Sequence, residues 1–193
     1  MNIGAPFRVL AQVDPTPYVD LVSAIPHAAW IADTSRQERF AVHEDTLAIT
    51  ILRPRSDSFD DDGVRDIILA APEMVPVIEA LGGAVSAASA ALGLVRPRVT
   101  RLLLTRLRGF GRIHPHSDNG RYFDLTHRIH VPIITADEVR FAIENPTTGE
   151  PGFAPMRVGN VVEINNRWTH SVENGSPLDR TVAIFDLFDE ALS

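Results

Sequence analysis

Between residues 99 and 188 the sequence breaks into eight short apolar and β-branched runs, each bounded by Gly, Asn, Pro or Asp. The runs cover residues 99–107, 111–116, 128–134, 139–144, 156–158, 161–165, 169–173 and 180–188. They predict a mainly β member of the α+β class, with a double-stranded β-helix (a jelly-roll, cupin-like core) over residues 97–188. The whole chain of 193 residues has the length of one domain.

Residues 1–96 read as a helix-rich support with short strands. A β run at 7–13 ends at Asp14-Pro15, and the prolines at 15 and 17 suit the start of a helix that continues to about Trp30. A polar connection at 33–39 leads to a buried strand at 46–52, stopped by Pro54. The acidic stretch 56–63 lacks the alternate-ligand spacing and closing Glu of a calcium loop, so it reads as a solvated surface loop. Residues 72–94 are Ala-rich and helical in tendency, with a break expected at Gly82-Gly83. This segment is expected to pack across a sheet rather than enter a membrane.

Composition closes several chemistries. All 18 basic residues are Arg, so no lysine is present to form a Schiff base. There is no Cys, which removes thiol nucleophiles, disulfides and iron–sulfur ligation and leaves His and carboxylate as the only metal donors. A formal net charge of -7 offers no global field for nucleic acid. No run reaches the roughly 20 apolar residues that span a bilayer, and the first residues lack the basic start of a secretion signal. The expectation is a cytoplasmic protein without nucleic-acid or membrane partners.

Five of the 7 histidines (114, 116, 127, 130 and 170) fall in the strand-rich part. If they lie on one strand, His116 and Asp118 project from the same face, and His170 on a later strand could close a site. Two His and one carboxylate leave the opposite metal positions open, the arrangement that non-heme Fe(II) oxygenases use for a cosubstrate and dioxygen. Ten residues beyond His170 stands Arg180, and a guanidinium grips a carboxylate with two parallel hydrogen bonds. A dicarboxylate cosubstrate could chelate the metal at one end and meet Arg180 at the other. The bland reading pairs Arg180 with Asp179 or Glu173 at the surface.

Across residues 105–186, the segments IHPHSD, RIHVPIIT, VGNVVEIN, NNRWTHSVENGSPLDR and FDLF resemble the aspartyl/asparaginyl β-hydroxylase family of Fe(II)- and 2-oxoglutarate-dependent oxygenases. RIHVPI is the most specific of these. The resemblance implies a dioxygenase that uses Fe(II), 2-oxoglutarate and O2 to hydroxylate an unactivated carbon, releasing succinate and CO2. By that likeness His116, Asp118 and His170 hold iron. Arg180 holds the distal carboxylate of 2-oxoglutarate, with Thr105 beside it and His130 as a second contact. Arg128 matches a position associated with a substrate carboxylate, which implies an amino acid or an Asp/Asn-type residue in a peptide as substrate. Arg112, Arg121 and His43 are further candidates for the substrate mouth, with Tyr122 and Phe123 in the loop that carries Arg121. His114 and His127 are taken as non-ligands. Two alternatives stay open. One is a cupin-like metal protein using His114, His116 and His170, which the eleven-residue gap from Gly159 to His170 disfavours. The other is a non-catalytic jelly-roll binding module. A zinc hydrolase lacks its His-Glu-x-x-His helix here.

Overall fold

The computed structural model describes residues 1–55 and 61–192, so most of the acidic 56–63 stretch lies outside the described residues. In chain order the elements are β1 (Phe7–Gln12), α1 (Thr16–Ser23), α2 (His27–Trp30), α3 (Ser35–Arg39), a 3-10 turn at Ala41–His43, β2 (Thr46–Pro54), β3 (Ile67–Leu69), α4 (Val75–Ala80) and α5 (Gly82–Leu92). Then come β4 (Pro97–Leu107), β5 (Arg112–His116), α6 (Tyr122–Leu125), β6 (His127–Ile134), β7 (Val139–Glu144), β8 (Pro151–Phe153), β9 (Asn160–Ile164), β10 (His170–Asn174) and β11 (Arg180–Asp189). They form two antiparallel sheets, a seven-stranded one in the order β1-β9-β6-β11-β4-β2-β3 and a four-stranded one in the order β5-β10-β7-β8. This is the expected jelly-roll sandwich.

Alternation along the strands decides what each face carries. On β11, Ala183, Phe185 and Leu187 face outward onto α1, α4 and α5. There they join Leu102, Leu104, Ile129 and Val131 in the larger core with Tyr18, Val22, Trp30 and Leu81. The intervening positions Arg180, Ile184, Thr105 and His130 turn inward and line a pocket between the sheets. A second apolar cluster, including Phe141, Val162, Ile164 and Val172, fills the rest of the sandwich. Each fully buried Leu, Ile or Phe contributes about 1.5–3 kcal/mol, which makes the outer cluster the main anchor of the large sheet.

Four expectations need correction. The helix from Pro15 does not run to Trp30. Pro26 has no N–H to give and disfavours helix at the residue before it, so α1 stops at Ser23 and α2 restarts beyond the proline. The 72–94 helix begins as a 3-10 turn rather than α-helix; it breaks beside Gly82-Gly83 as expected, into α4 and α5 bent by 56°, and ends on Gly93 at φ 67, a left-handed position that glycine adopts at low cost. Residues 156–158 are not a strand. Pro155 interrupts any ladder there, and the strand that pairs with β7 is β8, a few residues earlier. The polar 33–39 connection contains α3, and β3 was not anticipated. Among the described residues no single helix is long and apolar enough to cross a membrane.

Candidate metal centre and cosubstrate pocket

β5 is an edge strand, and His116 at its end lies directly across from His170, the first residue of β10. Three steps along β5, from Ile113 to His116, oppose two along β10, from Val172 to His170. The extra residue makes a bulge that keeps both Ile113 and His116 facing the pocket, and it accommodates Pro115, which has no N–H for a ladder. Asp118 is not on the strand, contrary to the expectation that one strand presents both ligands. It sits two residues past the end of β5, pinned by its own N–H to the Asn166 carbonyl at 2.9 Å and by Arg167 Nη1 to its carbonyl at 2.5 Å. His116, Asp118 and His170 each offer one donor atom, all within 4.8 Å of one another.

Both imidazoles are set for metal binding. His116 Nδ1 donates to the His114 carbonyl at 2.8 Å, and His170 Nδ1 donates to the Trp168 carbonyl at 3.0 Å. A carbonyl only accepts, so Nδ1 carries the hydrogen and Nε2 presents a lone pair. Burial lowers the His170 pKa to about 4, partly opposed by Asp118, so the ring is neutral at physiological pH. Burial alone would raise Asp118. Arg128, with His170 and His116 behind it, instead holds that carboxyl well below its usual range. Its Oδ2 accepts from Arg128 Nη1 and from Asn166 Nδ2 at 3.2 Å. Two bare imidazole nitrogens and an ionised carboxylate fit a divalent first-row cation.

Deeper in the same cavity of about 720 Å³ lie Thr105, His130 and Arg180. Arg180 is 2% exposed, and its Nε and Nη2 find no hydrogen-bond partner among the described residues. The partners of the bland reading are engaged elsewhere: Asp179 accepts from the Gly109 N–H, and Glu173 pairs with Arg112 at 2.9 Å. Burial lowers the Arg180 pKa to about 10, and burial with Arg180 nearby pushes His130 well below the ordinary imidazole value. His130 Nδ1 is likewise buried without a partner. Phe141 separates these groups from the outside, stacked on His170 with centroids 6.0 Å apart and set edge-on to His130 at 5.3 Å.

The remaining candidates divide. His43 lines the pocket and meets the His116 ring edge-on at 5.1 Å. Arg128 also lines it, but its guanidinium is engaged by Asp118 and, through Nε and Nη2 at 2.8 and 2.7 Å, by Asp186. Arg112 is exposed on the outer side of β5, and neither it nor Arg121 lines the pocket. Tyr122 is fully buried rather than at the mouth, whereas Phe123 does reach the wall. His114 is turned outward to Glu44 at 3.4 Å, and His127 is tied to Glu163 at 2.6 Å, so neither joins the metal cluster. Asp186, Asn166, Arg39, Arg53 and Arg101 were missed. Asp186 had a signal: it is a lone carboxylate inside the otherwise apolar run of β11, and a buried charge needs a partner. The arginines became visible only when the fold brought them to the wall, and Asn166 only through its hydrogen bond to Asp118.

The two sheets enclose the His-Asp-His cluster and the buried arginine in a jelly-roll sandwich. Solved structures share this architecture. An oxidoreductase of the 2OG-Fe(II) oxygenase family from Burkholderia pseudomallei matches 93% of this chain and 96% of its own at 17% identity, with a TM-score of 0.59. A prolyl hydroxylase from Trichoplax adhaerens, in complex with a hypoxia inducible factor oxygen degradation domain peptide, matches 97% of this chain and 87% of its own at 12% identity and 0.65. HygX from Streptomyces hygroscopicus, with nickel, 2-oxoglutarate and hygromycin B bound, matches 96% of this chain and 83% of its own at 14% identity and 0.57. At these identities the likeness is one of fold. No protein-family model matches the chain, and no curated protein matches it in sequence.

Proposed function

We propose that this chain is an Fe(II)- and 2-oxoglutarate-dependent dioxygenase that hydroxylates an unactivated carbon of an amino acid or of an Asp/Asn-type residue in a peptide, as the aspartyl/asparaginyl β-hydroxylases do. The observation that carries the reading is the buried Arg180 guanidinium, with two N–H groups unpartnered and aimed into the cavity that holds the His116, Asp118 and His170 cluster. An interior cation without a counter-charge is unfavourable unless a ligand supplies one. A dicarboxylate that reaches both the metal and Arg180 satisfies that requirement.

His116, Asp118 and His170 would hold the iron, which, with 2-oxoglutarate and dioxygen bound, supplies the oxidising equivalents for C–H hydroxylation and leaves succinate and CO2. Arg180 Nε and Nη2 donate in parallel to the distal carboxylate, with the Thr105 hydroxyl and His130 on the same wall. His130, kept neutral by burial, can donate a hydrogen bond without adding a second positive charge beside Arg180. Phe141 and Ile184 keep bulk water from the reacting carbon. The open end is lined by Arg39, Phe40, His43 and Arg53, which orient the substrate. Among the described residues, Arg39, Arg53 and Arg101 stand on the wall besides Arg128 and Arg180, with Asp118 as the carboxylate there, which supports a substrate bearing a carboxylate. The cupin-like ligand set loses support because His114 is turned away from the cavity.

The test is oxygen-dependent formation of succinate from 2-oxoglutarate by iron-loaded protein, screened against free amino acids and Asp- or Asn-containing peptides. Stimulation by a carboxylate-bearing candidate, with a mass gain of one oxygen, is expected. Iron-loaded protein that forms no succinate with or without any candidate contradicts the reading.

A further inference from the structure

Behind Asp118 runs a line of buried charge that metal and cosubstrate binding leave without a task. Arg128, 8% exposed, donates from Nη1 to Asp118 Oδ2 and from Nε and Nη2 to both oxygens of Asp186. Asp186 is wholly buried. Its Oδ2 also accepts from the Tyr122 hydroxyl at 3.2 Å, and that hydroxyl shares a 2.8 Å hydrogen bond with Thr100. The Phe123 ring lies under the guanidinium, 4.7 Å from ring centroid to Cζ. A fork-to-fork pair fixes the plane of a guanidinium, so β4, β6, β11 and α6 together dictate where Nη1 stands. It stands on one oxygen of a metal ligand.

Stability alone does not account for this arrangement. A buried ion pair contributes little over apolar residues of similar volume, whereas breaking it by removing one partner is costly. An Asp on the inner face of β11 is therefore retained for what its partner reaches. We propose that Arg128 is a positioning residue for Asp118, held in register by Asp186 and Tyr122, and not a substrate contact; this rests on the reading that His116, Asp118 and His170 hold a metal. Arg128 and Asn166 occupy Asp118 Oδ2, which leaves Oδ1 as the donor oxygen. The charge-assisted bond keeps the carboxylate turned toward the two imidazoles before any cation arrives. It also draws electron density from the carboxylate, which favours an anionic cosubstrate at the same centre. Recognition of a substrate anion then falls to other arginines of the wall.

The experiment titrates metal-free protein with Co(II), following affinity and the visible Co(II) absorption, in the parent, Arg128→Met and Arg128→Met/Asp186→Leu. The single variant removes the guanidinium that pairs with both Asp118 and Asp186 and can fail to fold. The double variant removes both charges together, an exchange that folds tolerate. The expected result is a cooperatively folded double variant that binds Co(II) roughly 10- to 100-fold more weakly, with an altered spectrum. Tyr122→Phe removes one hydrogen bond to Asp186 and no bulk, so it decides the matter if the charge variants do not fold; it should weaken Co(II) binding by roughly 2- to 10-fold. Parent-like affinity and spectrum in the folded variants overturn the proposal while leaving the metal centre intact. A parent protein that binds no Co(II) overturns the metal-centre reading itself, and this proposal with it.

Discussion

Replacing Arg180 by Met should stabilise the ligand-free protein while removing its response to 2-oxoglutarate at concentrations that saturate the parent. The guanidinium is 2% exposed, and two of its nitrogens have no hydrogen-bond partner among the described residues. Burial lowers its pKa to about 10, a depression that corresponds to about 3 kcal/mol. A base whose folded pKa is depressed is penalised wherever it is charged, and the penalty is relieved only as pH climbs above about 10 toward the ordinary guanidinium value. The whole cost is therefore present at neutral pH. Met fills the stem's volume without the charge, so the metal-free variant should gain about 1–3 kcal/mol. In a chain of this length each kcal/mol raises Tm by about 2–4 °C. The parent loaded with Mn(II) should gain about 2.7 kcal/mol from 2-oxoglutarate at a hundredfold excess over Kd. The variant should gain nothing. Thermal melts of both proteins, with and without metal and cosubstrate, check both signs. A metal-free Arg180→Met protein that melts below the parent would refute the reasoning, because the guanidinium would then be compensated within the protein.

Acid should weaken the metal-free protein. His170, lowered to about 4 chiefly by burial, contributes stability above the unfolded value of 6.5 that is lost as pH falls below it. The loss between pH 7 and pH 5 is about 2 kcal/mol from this ring alone, and buried His130 adds in the same direction; urea midpoints that do not move would contradict it. Gly109→Ala would place a Cβ 2.2 Å from the Pro177 carbonyl oxygen, forcing apart the turns that flank Arg180. It should cost about 1–3 kcal/mol in denaturant unfolding, and an unchanged midpoint would disprove that contact. Arg112→Ala, which breaks only an exposed pair with Glu173, should change stability by less than about 1 kcal/mol. It should leave Co(II) affinity at the parent value, and a measurable loss would return Arg112 to the site.

The jelly roll was legible because strands such as β4, β6 and β11, covered on both faces, leave short apolar runs that Gly, Asn, Pro and Asp separate. Element limits failed where proline chemistry competes with apolar pattern, in the helix at Pro26 and in the strand at Pro155. The cluster of His116, Asp118 and His170 was legible from residue type and order. Its geometry was not, because the bulge at Pro115 and the Asn166 carbonyl that fixes Asp118 are long-range features. Arg180 was singled out by its place ten residues beyond His170 at the start of the last strand, but only the packed structure shows that it is buried and that Asp179 and Glu173 are engaged elsewhere. Arg128 illustrates the limit of reading a residue singly. Its partner Asp186 lies 58 residues away and becomes a neighbour only through the pairing of β6 with β11.

The most direct test of the account is an anaerobic titration of metal-free protein with Fe(II) and then 2-oxoglutarate, beside Arg180→Met, followed by visible absorption. The account predicts that a weak charge-transfer band grows in the parent when the cosubstrate is added, and that in the variant it requires far more cosubstrate. Iron bound tightly at the His116, Asp118 and His170 site with no band at any 2-oxoglutarate concentration would contradict it.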